Sequence, residues 1–264
     1  MMAETIFLKL GGSLLTDKTG HEALRPEILA RLSGEIAAAR AAIPSLKLVL
    51  GHGSGSFGHV AGAKHGTRTG VRGADQWFGF AEVADAAARL NRIVVSSLLS
   101  AGVPAIGFPP SASARVSDGR IMRLEIESLH AALEANIVPV VYGDVAFDTV
   151  RGGTIISTEE VMEYLAPVLA ADWLLLAGET DGVLDLHGTV IPQITRQTVT
   201  KVLPALGASR GTDVTGGMAS KVMAMLDLVD SHPGLSVKIF SGLHPGLLYS
   251  LLVDPSQLAG TQLQ

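Results

Sequence analysis

Thr5-Ile6-Phe7-Leu8-Lys9-Leu10-Gly11-Gly12-Ser13 is an apolar run broken by one lysine and closed by two glycines and a hydroxyl. A short apolar run bounded by a glycine turn reads as a buried strand. Glycines at the carboxyl end of a strand let backbone N–H groups approach an anion, and Lys9 places a compact positive charge beside them. A phosphate meets that description. So does an ordinary Gly-Gly turn with a lysine at a sheet edge, and this stretch alone does not separate the two.

The same punctuation recurs outward from it. Short apolar runs at 47–51, 104–108, 137–142, 173–177 and 237–241 alternate with helical stretches at 26–43, 74–100, 126–136, 158–169 and 218–231. Such alternation predicts an α/β fold, an open and mainly parallel central sheet sandwiched between helices. Pro26 stands where a first-turn proline belongs, with Ile28, Leu29, Leu32, Ile36 and Ile43 near one face. Segments 145–157 and 183–191 read as short antiparallel hairpins that turn at Arg151-Gly152-Gly153 and His187-Gly188. Segments 16–24 and 207–217 read as loops.

At 264 residues, 47% hydrophobic and 17% charged, the chain can bury a substantial core as a single unit. Its net charge of -5 supplies no basic field for nucleic acid. With no cysteine there is no disulfide framework and no thiolate metal site or nucleophile, which suits a reducing cytoplasm. The first residues lack the basic and apolar regions of a signal peptide. The longest uncharged run, 93–114, is broken by Gly102, Pro104, Gly107, Pro109 and Pro110, so no membrane span is expected.

Four further motifs sit at strand ends or helix starts. Gly51-His52-Gly53-Ser54-Gly55-Ser56-Phe57-Gly58-His59 follows the second strand and precedes an alanine-rich helical segment. Gly58-His59-Val60 stands where a Walker A loop requires Gly-Lys-Ser/Thr, which excludes a P-loop nucleotidase. Gly53-x-Gly55-x-x-Gly58 spells a dinucleotide fingerprint, but it follows the second strand, and the only acid about twenty residues on is Asp75, inside a helical stretch. His59 reads either as a capping or core histidine or as a donor to a phosphate. Tyr142-Gly143-Asp144-Val145 ends another strand, where Asp144 is a turn aspartate or a carboxylate that holds lysines in place. In the second half come Thr180-Asp181-Gly182 and then Thr215-Gly216-Gly217-Met218-Ala219-Ser220-Lys221, where a helix start and a lysine one turn inside it can face one anion.

Lys9-x-Gly11-Gly12-Ser13, the glycine-rich turn, Thr180-Asp181-Gly182 and Gly216-Gly217-Met218-x-x-Lys221, in this order across nearly the whole chain, resemble the amino acid kinase family. Within it, Gly58-His59 and Asp213-Val214-Thr215-Gly216-Gly217-Met218 resemble the isopentenyl phosphate kinases most closely. The resemblance implies ATP-dependent phosphorylation of isopentenyl phosphate to its diphosphate in isoprenoid biosynthesis, with an acceptor-binding lobe at 1–170 and a nucleotide-binding lobe at 171–264. It assigns Lys9 to the transferred phosphoryl group, Lys18 to the nucleotide β- and γ-phosphates, and Lys221 to the ATP phosphates. Gly11, Gly12, Ser13, Gly216 and Gly217 would border the same phosphates, and Thr180, Asp181 and Gly182 the adenosine. Gly53, Ser54 and Gly58 would present N–H groups, His59 would bind the acceptor phosphate beside Gly143, and Asp144 would orient the lysines.

Phe78, Phe80, Val83 and Ala87 are candidates to line an apolar slot for a prenyl tail. Mg2+ would arrive with ATP on its phosphates, without a protein metal site. A homodimer through the N-terminal part is implied. Fosfomycin kinases share the Gly-Phe-Gly-His element, which leaves a small phosphonate as the alternative acceptor. A non-catalytic nucleotide sensor would be expected to lack phosphate-facing lysines, and Lys9, Lys18 and Lys221 are all present. Ser54 departs from the glycine more usual in this turn.

Overall fold

The computed structural model describes residues 4–17, 20–206 and 217–264. The first half runs β1 (Thr5–Leu10), α1 (Gly12–Leu15), α2 (Pro26–Ala42), β2 (Lys47–His52), α3 (Gly55–His65), α4 (Ala74–Ser100), β3 (Ala105–Gly107), β4 (Arg115–Ser117), β5 (Arg120–Arg123), α5 (Glu127–Glu134) and β6 (Val138–Tyr142). It continues with β7 (Asp144–Asp148), β8 (Gly152–Ile156), α6 (Thr158–Val168), β9 (Trp173–Gly178), β10 (Gln193–Ile194), α7 (Val199–Leu206), α8 (Gly217–Ser231), β11 (Ser236–Ser241), α9 (Leu247–Val253) and β12 (Thr261–Leu263). Eight strands form one sheet in the order β10-β12-β11-β9-β1-β2-β6-β3, in which β11 and β12 are the antiparallel pair and the other pairs are parallel. A second sheet, β5-β4-β7-β8, stands beside it.

Every residue of β1 is buried. A strand alternates its side chains between the two faces of a sheet. Ile6, Leu8 and Leu10 therefore join the core that packs against α2, α4 and α9. Phe7 joins the opposite core, with Val161, Met162 and Leu165 of α6 and Val222, Met225 and Leu226 of α8. Lys9 follows Phe7 at a spacing of two, so its stem leaves the sheet on the α6/α8 face.

The expected alternation is present, with α4 spanning the predicted 74–100. Segment 145–157 is the β7–β8 hairpin. Segment 183–191 closes through one antiparallel bridge, Leu184 to Val190, around a turn in which the Asp185 carboxylate accepts from the N–H groups of His187 and Thr189. Strands β4, β5, β10 and β12 and helices α7 and α9 were not anticipated. They are two to eight residues long, too short for a clear period, and β10 pairs with β12 across some seventy residues of sequence.

The order of strands reverses at β1, with β2 on one side and β9 on the other. Ligands of open α/β sheets collect outside the carboxyl ends of strands at such a point. There the first glycine turn meets the second backbone to backbone: a Cβ on Gly53 would lie 2.7 Å from Gly12 N and 3.1 Å from Gly12 Cα. No L side chain fits between them without moving one turn. Gly53→Ala is therefore expected to destabilise the protein by roughly 1–3 kcal/mol in urea unfolding.

Candidate active site

Lys9 Nζ lies 2.5 Å from Glu159 Oε1, and Lys221 Nζ approaches the same oxygen at 3.8 Å. The three side chains come from β1, α6 and α8, which meet at the carboxyl end of the sheet. Glu159 occupies the first turn of α6, whose start is fixed by a capping box: Ser157 Oγ accepts from Glu160 N at 3.2 Å, and Glu160 Oε2 accepts from Ser157 N at 2.6 Å. Thr158 Oγ1 donates to His52 O at 2.6 Å and ties the same turn to β2. Burial by itself would raise the Glu159 pKa, but the charges of Lys9 and Lys221 and the Lys9 hydrogen bond outweigh it and hold the carboxyl at about 2.

The glycine turns add backbone donors. Among the described residues, the N–H groups of Gly12, Ser13, Ser54 and Gly55 have no protein acceptor; they begin α1 and α3, where the first N–H groups of a helix lack intrahelical partners. Thr16 Oγ1 locks the two starts together, donating to Gly12 O at 2.9 Å and accepting from Ser56 N at 2.8 Å. Two lysines and two helix starts thus converge on one strand-end crevice, an arrangement suited to several phosphate oxygens at once.

The model of the amino acid kinase family matches residues 4–241. The chain is 40% identical to the isopentenyl phosphate kinase of Haloferax volcanii over 84% of its own length and 88% of the relative. It is 32% identical to that of Methanothermobacter thermautotrophicus over 98% of each. A solved structure described as an isopentenyl phosphate kinase superposes with a TM-score of 0.83 at 28% identity, covering 99% of this chain and 100% of that one. The chain belongs to the amino acid kinase family.

An amino acid kinase fold accounts for where the other expected residues lie. Gly11, Gly12 and Ser13 turn from β1 into α1, and Gly217 opens α8 with φ +69°, a conformation that favours glycine. Gly216 and Lys18 lie outside the described residues, as does the side chain of His59, whose backbone belongs to α3. Thr180 and Asp181 are exposed beyond the end of β9, and Asp181 Oδ1 lies 2.6 Å from His244 Nε2. Gly182 is packed under Thr261 and Val190, and Gly143 against the start of α6 at Thr158.

Three expectations need correction. Gly53 and Gly58 do not present N–H groups to a ligand: Gly53 N donates to Leu10 O at 2.9 Å and Gly58 N to Ser54 O at 3.2 Å, because the first closes the turn and the second belongs to the helix. Ser54 is no misfit, since a Cβ on Gly58 would lie 2.5 Å from Ser54 Cβ, and glycine at 58 makes the room that serine at 54 uses. Asp144 does not contact Lys9 or Lys221. It begins β7, where the chain leaves for the second sheet, and its carboxylate accepts from Ser111 N at 3.1 Å and Val145 N at 2.8 Å. Burial raises its pKa.

Glu159 makes the lysine contacts in its place. The sequence signal for it was the box Ser157-x-x-Glu160, which marks a helix start at a strand end and puts Glu159 in the first turn.

His52 is a core residue: it stacks on Tyr142, accepts from Asn91 Nδ2 at 3.1 Å and faces Gly53 O. Burial drives its pKa down to about 4, so the ring is neutral. Phe80 and Val83 pack with Val71 and Val145 in a small cluster beside α3, Ala87 is buried, and Phe78 is 68% exposed. Among the described residues, no group of three or more His, Asp or Glu side chains is placed to hold a metal ion, and no helix is long and apolar enough to cross a membrane.

One turn beyond Glu159, burial and then the neighbouring Glu160, Glu159 and Asp227 push Glu163 up to about 7. The two carboxyls affect stability with opposite sign. Glu159, depressed in the folded state, stabilises fully above pH 4.5 and loses that contribution as pH falls toward about 2. Glu163, raised, costs stability as pH climbs from 4.5 through about 7. Thermal melts should show Glu163→Gln more stable than the parent at pH 8 and equal to it at pH 4, whereas Glu159→Gln should flatten the acid-side loss between pH 4.5 and 2.

Proposed function

We propose that this protein transfers the γ-phosphoryl group of ATP to isopentenyl phosphate, giving isopentenyl diphosphate and ADP. The observation that carries the reading is the Lys9–Glu159–Lys221 cluster beside the paired glycine turns, in a chain that aligns with isopentenyl phosphate kinases over nearly its full length.

A terminal oxygen of the acceptor phosphate attacks the γ-phosphorus, a new O–P bond forms, and the bond to the β-phosphate bridging oxygen breaks in line. That oxygen is already ionised at neutral pH, so no strong base is required and catalysis comes from positioning and charge neutralisation. Lys9 reaches the transferred group from β1, and Lys221 the nucleotide phosphates from α8. Glu159, anionic at all physiological pH, fixes both ammonium groups. The N–H groups of Gly12, Ser13, Ser54 and Gly55 bind phosphate oxygens.

Lys18 serves the β- and γ-phosphates, and His59 the acceptor phosphate. Residues 1–170 hold the acceptor and 171–264 the nucleotide, with Asp181 near the adenosine. Mg2+ comes with ATP, held largely by the nucleotide phosphates and water. The prenyl tail would lie against the α4 cluster of Phe80 and Val83. The enzyme works as a cytoplasmic homodimer, a placement that its cysteine-free composition suits.

A coupled ADP-release assay checks the reading. Isopentenyl phosphate should be turned over with Mg-ATP, and turnover of fosfomycin with none of isopentenyl phosphate would overturn the acceptor. His59→Ala should raise the acceptor KM or lower kcat by about tenfold or more while ATP affinity stays within about twofold. Loss of ATP binding instead would show that the two lobes are reversed. Glu159→Gln should lower kcat by roughly a hundredfold, the scale of losing one preorganised electrostatic contact.

A further inference from the structure

The first turn of α6 is gripped from a third direction. Arg68, in a short 3-10 turn (Thr67–Thr69) that follows α3, faces Glu160 with both arms of its guanidinium, Nη1 to Oε2 at 2.9 Å and Nη2 to Oε1 at 2.7 Å. Nη1 also donates to Ile155 O at 2.5 Å, and the carbonyl of Arg68 accepts from Thr154 Oγ1 at 3.0 Å, so the arginine is stitched to β8 at both ends. The Glu160 carboxylate that it holds is the one that caps α6 through Ser157 N. Glu159 therefore sits between two anchored neighbours, Thr158 on His52 O and Glu160 on Arg68, with its own carboxylate turned to Lys9 and Lys221.

We propose that Arg68 is a positioning residue for phosphoryl transfer: its fork on Glu160 fixes the first turn of α6, and with it the place of the Glu159 carboxylate between Lys9 and Lys221. A planar bidentate pair sets orientation as well as distance, which a point charge does not. Small displacements of groups that neutralise a developing charge cost far more in rate than in stability. Arg68 is half exposed, and an ion pair at that depth contributes little to folding. Its removal should therefore be felt in the rate and in the state of Glu159 much more than in melting temperature. Because the turn that carries Arg68 leaves directly from α3, the same contact links the acceptor-side helix to the lysine side of the crevice.

Only the kinetic arm of the test rests on the proposed reaction. Arg68→Ala removes the fork, Arg68→Lys keeps the charge without it, and Glu160→Gln keeps an oxygen to cap Ser157 N while removing the ion pair. Titration of the Glu159 carboxyl by carbon-13 NMR, without substrate, should show its midpoint raised by about one pH unit in Arg68→Ala, because looser lysines no longer hold it down. With Mg-ATP and isopentenyl phosphate, kcat of Arg68→Ala and of Glu160→Gln should each fall about tenfold, with both KM values within about twofold. The double variant should be no worse than either single one, and Arg68→Lys should recover part of the loss.

An unmoved Glu159 midpoint in Arg68→Ala overturns the inference, as do additive losses in the double variant or a rise in KM at unchanged kcat. A parent enzyme inactive on isopentenyl phosphate would overturn the acceptor assignment, and the carboxyl titration would still decide the role of Arg68.

Discussion

Lys9 is a cation inside the central strand of a sheet buried on both faces, and the structure is arranged around that fact. A lysine with 8% of its surface exposed must find a counter-charge, because burying an unpaired charge costs several kcal/mol. Glu159 supplies it at 2.5 Å, and Lys221 shares the same oxygen from the other side. Two ammonium groups thus gather on one carboxylate at the mouth of the crevice, where a phosphate would meet them.

Such a cluster works only if its three parents are rigid relative to one another. β1 is fixed by its place between β2 and β9, with hydrogen bonds to both neighbours. α8 packs through Val222, Met225 and Leu226 on the same face as Phe7. α6 is the shortest lever, since Glu159 lies in its first turn, where helices fray. The capping box, the Thr158 bond to His52 O and the Arg68 fork all act on that turn. The buried and neutral His52 belongs to this support, and its stacking on Tyr142 ties β2 to β6 just below the glycine turn.

The glycine turns show a related division of labour. Their N–H groups are not equivalent: those of Gly11 and Gly53 close the turns against Ala177 O and Leu10 O, while those of Gly12, Ser13, Ser54 and Gly55 stay available. What the glycines contribute most directly is proximity. Gly12 and Gly53 let two backbones touch, so that two helix starts lie side by side, and Gly58 leaves space for Ser54.

Apolar runs, their spacing and the turn residues between them determined the α/β class, the six principal strands and the long helices, because local period and punctuation are properties of contiguous residues. The order of motifs, from Lys9-x-Gly11-Gly12 to Gly217-x-x-x-Lys221, determined the family for the same reason. Only the tertiary structure decided that Lys9 and Lys221 meet on Glu159, 150 residues from the first, and that Asp144 turns away to Ser111. Which carboxylate a lysine pairs with depends on the face its strand turns to the helices and on where distant helices begin, and no local pattern carries that. Which glycine N–H groups remain available is settled in the same way, by whether a carbonyl from another strand has already come within reach.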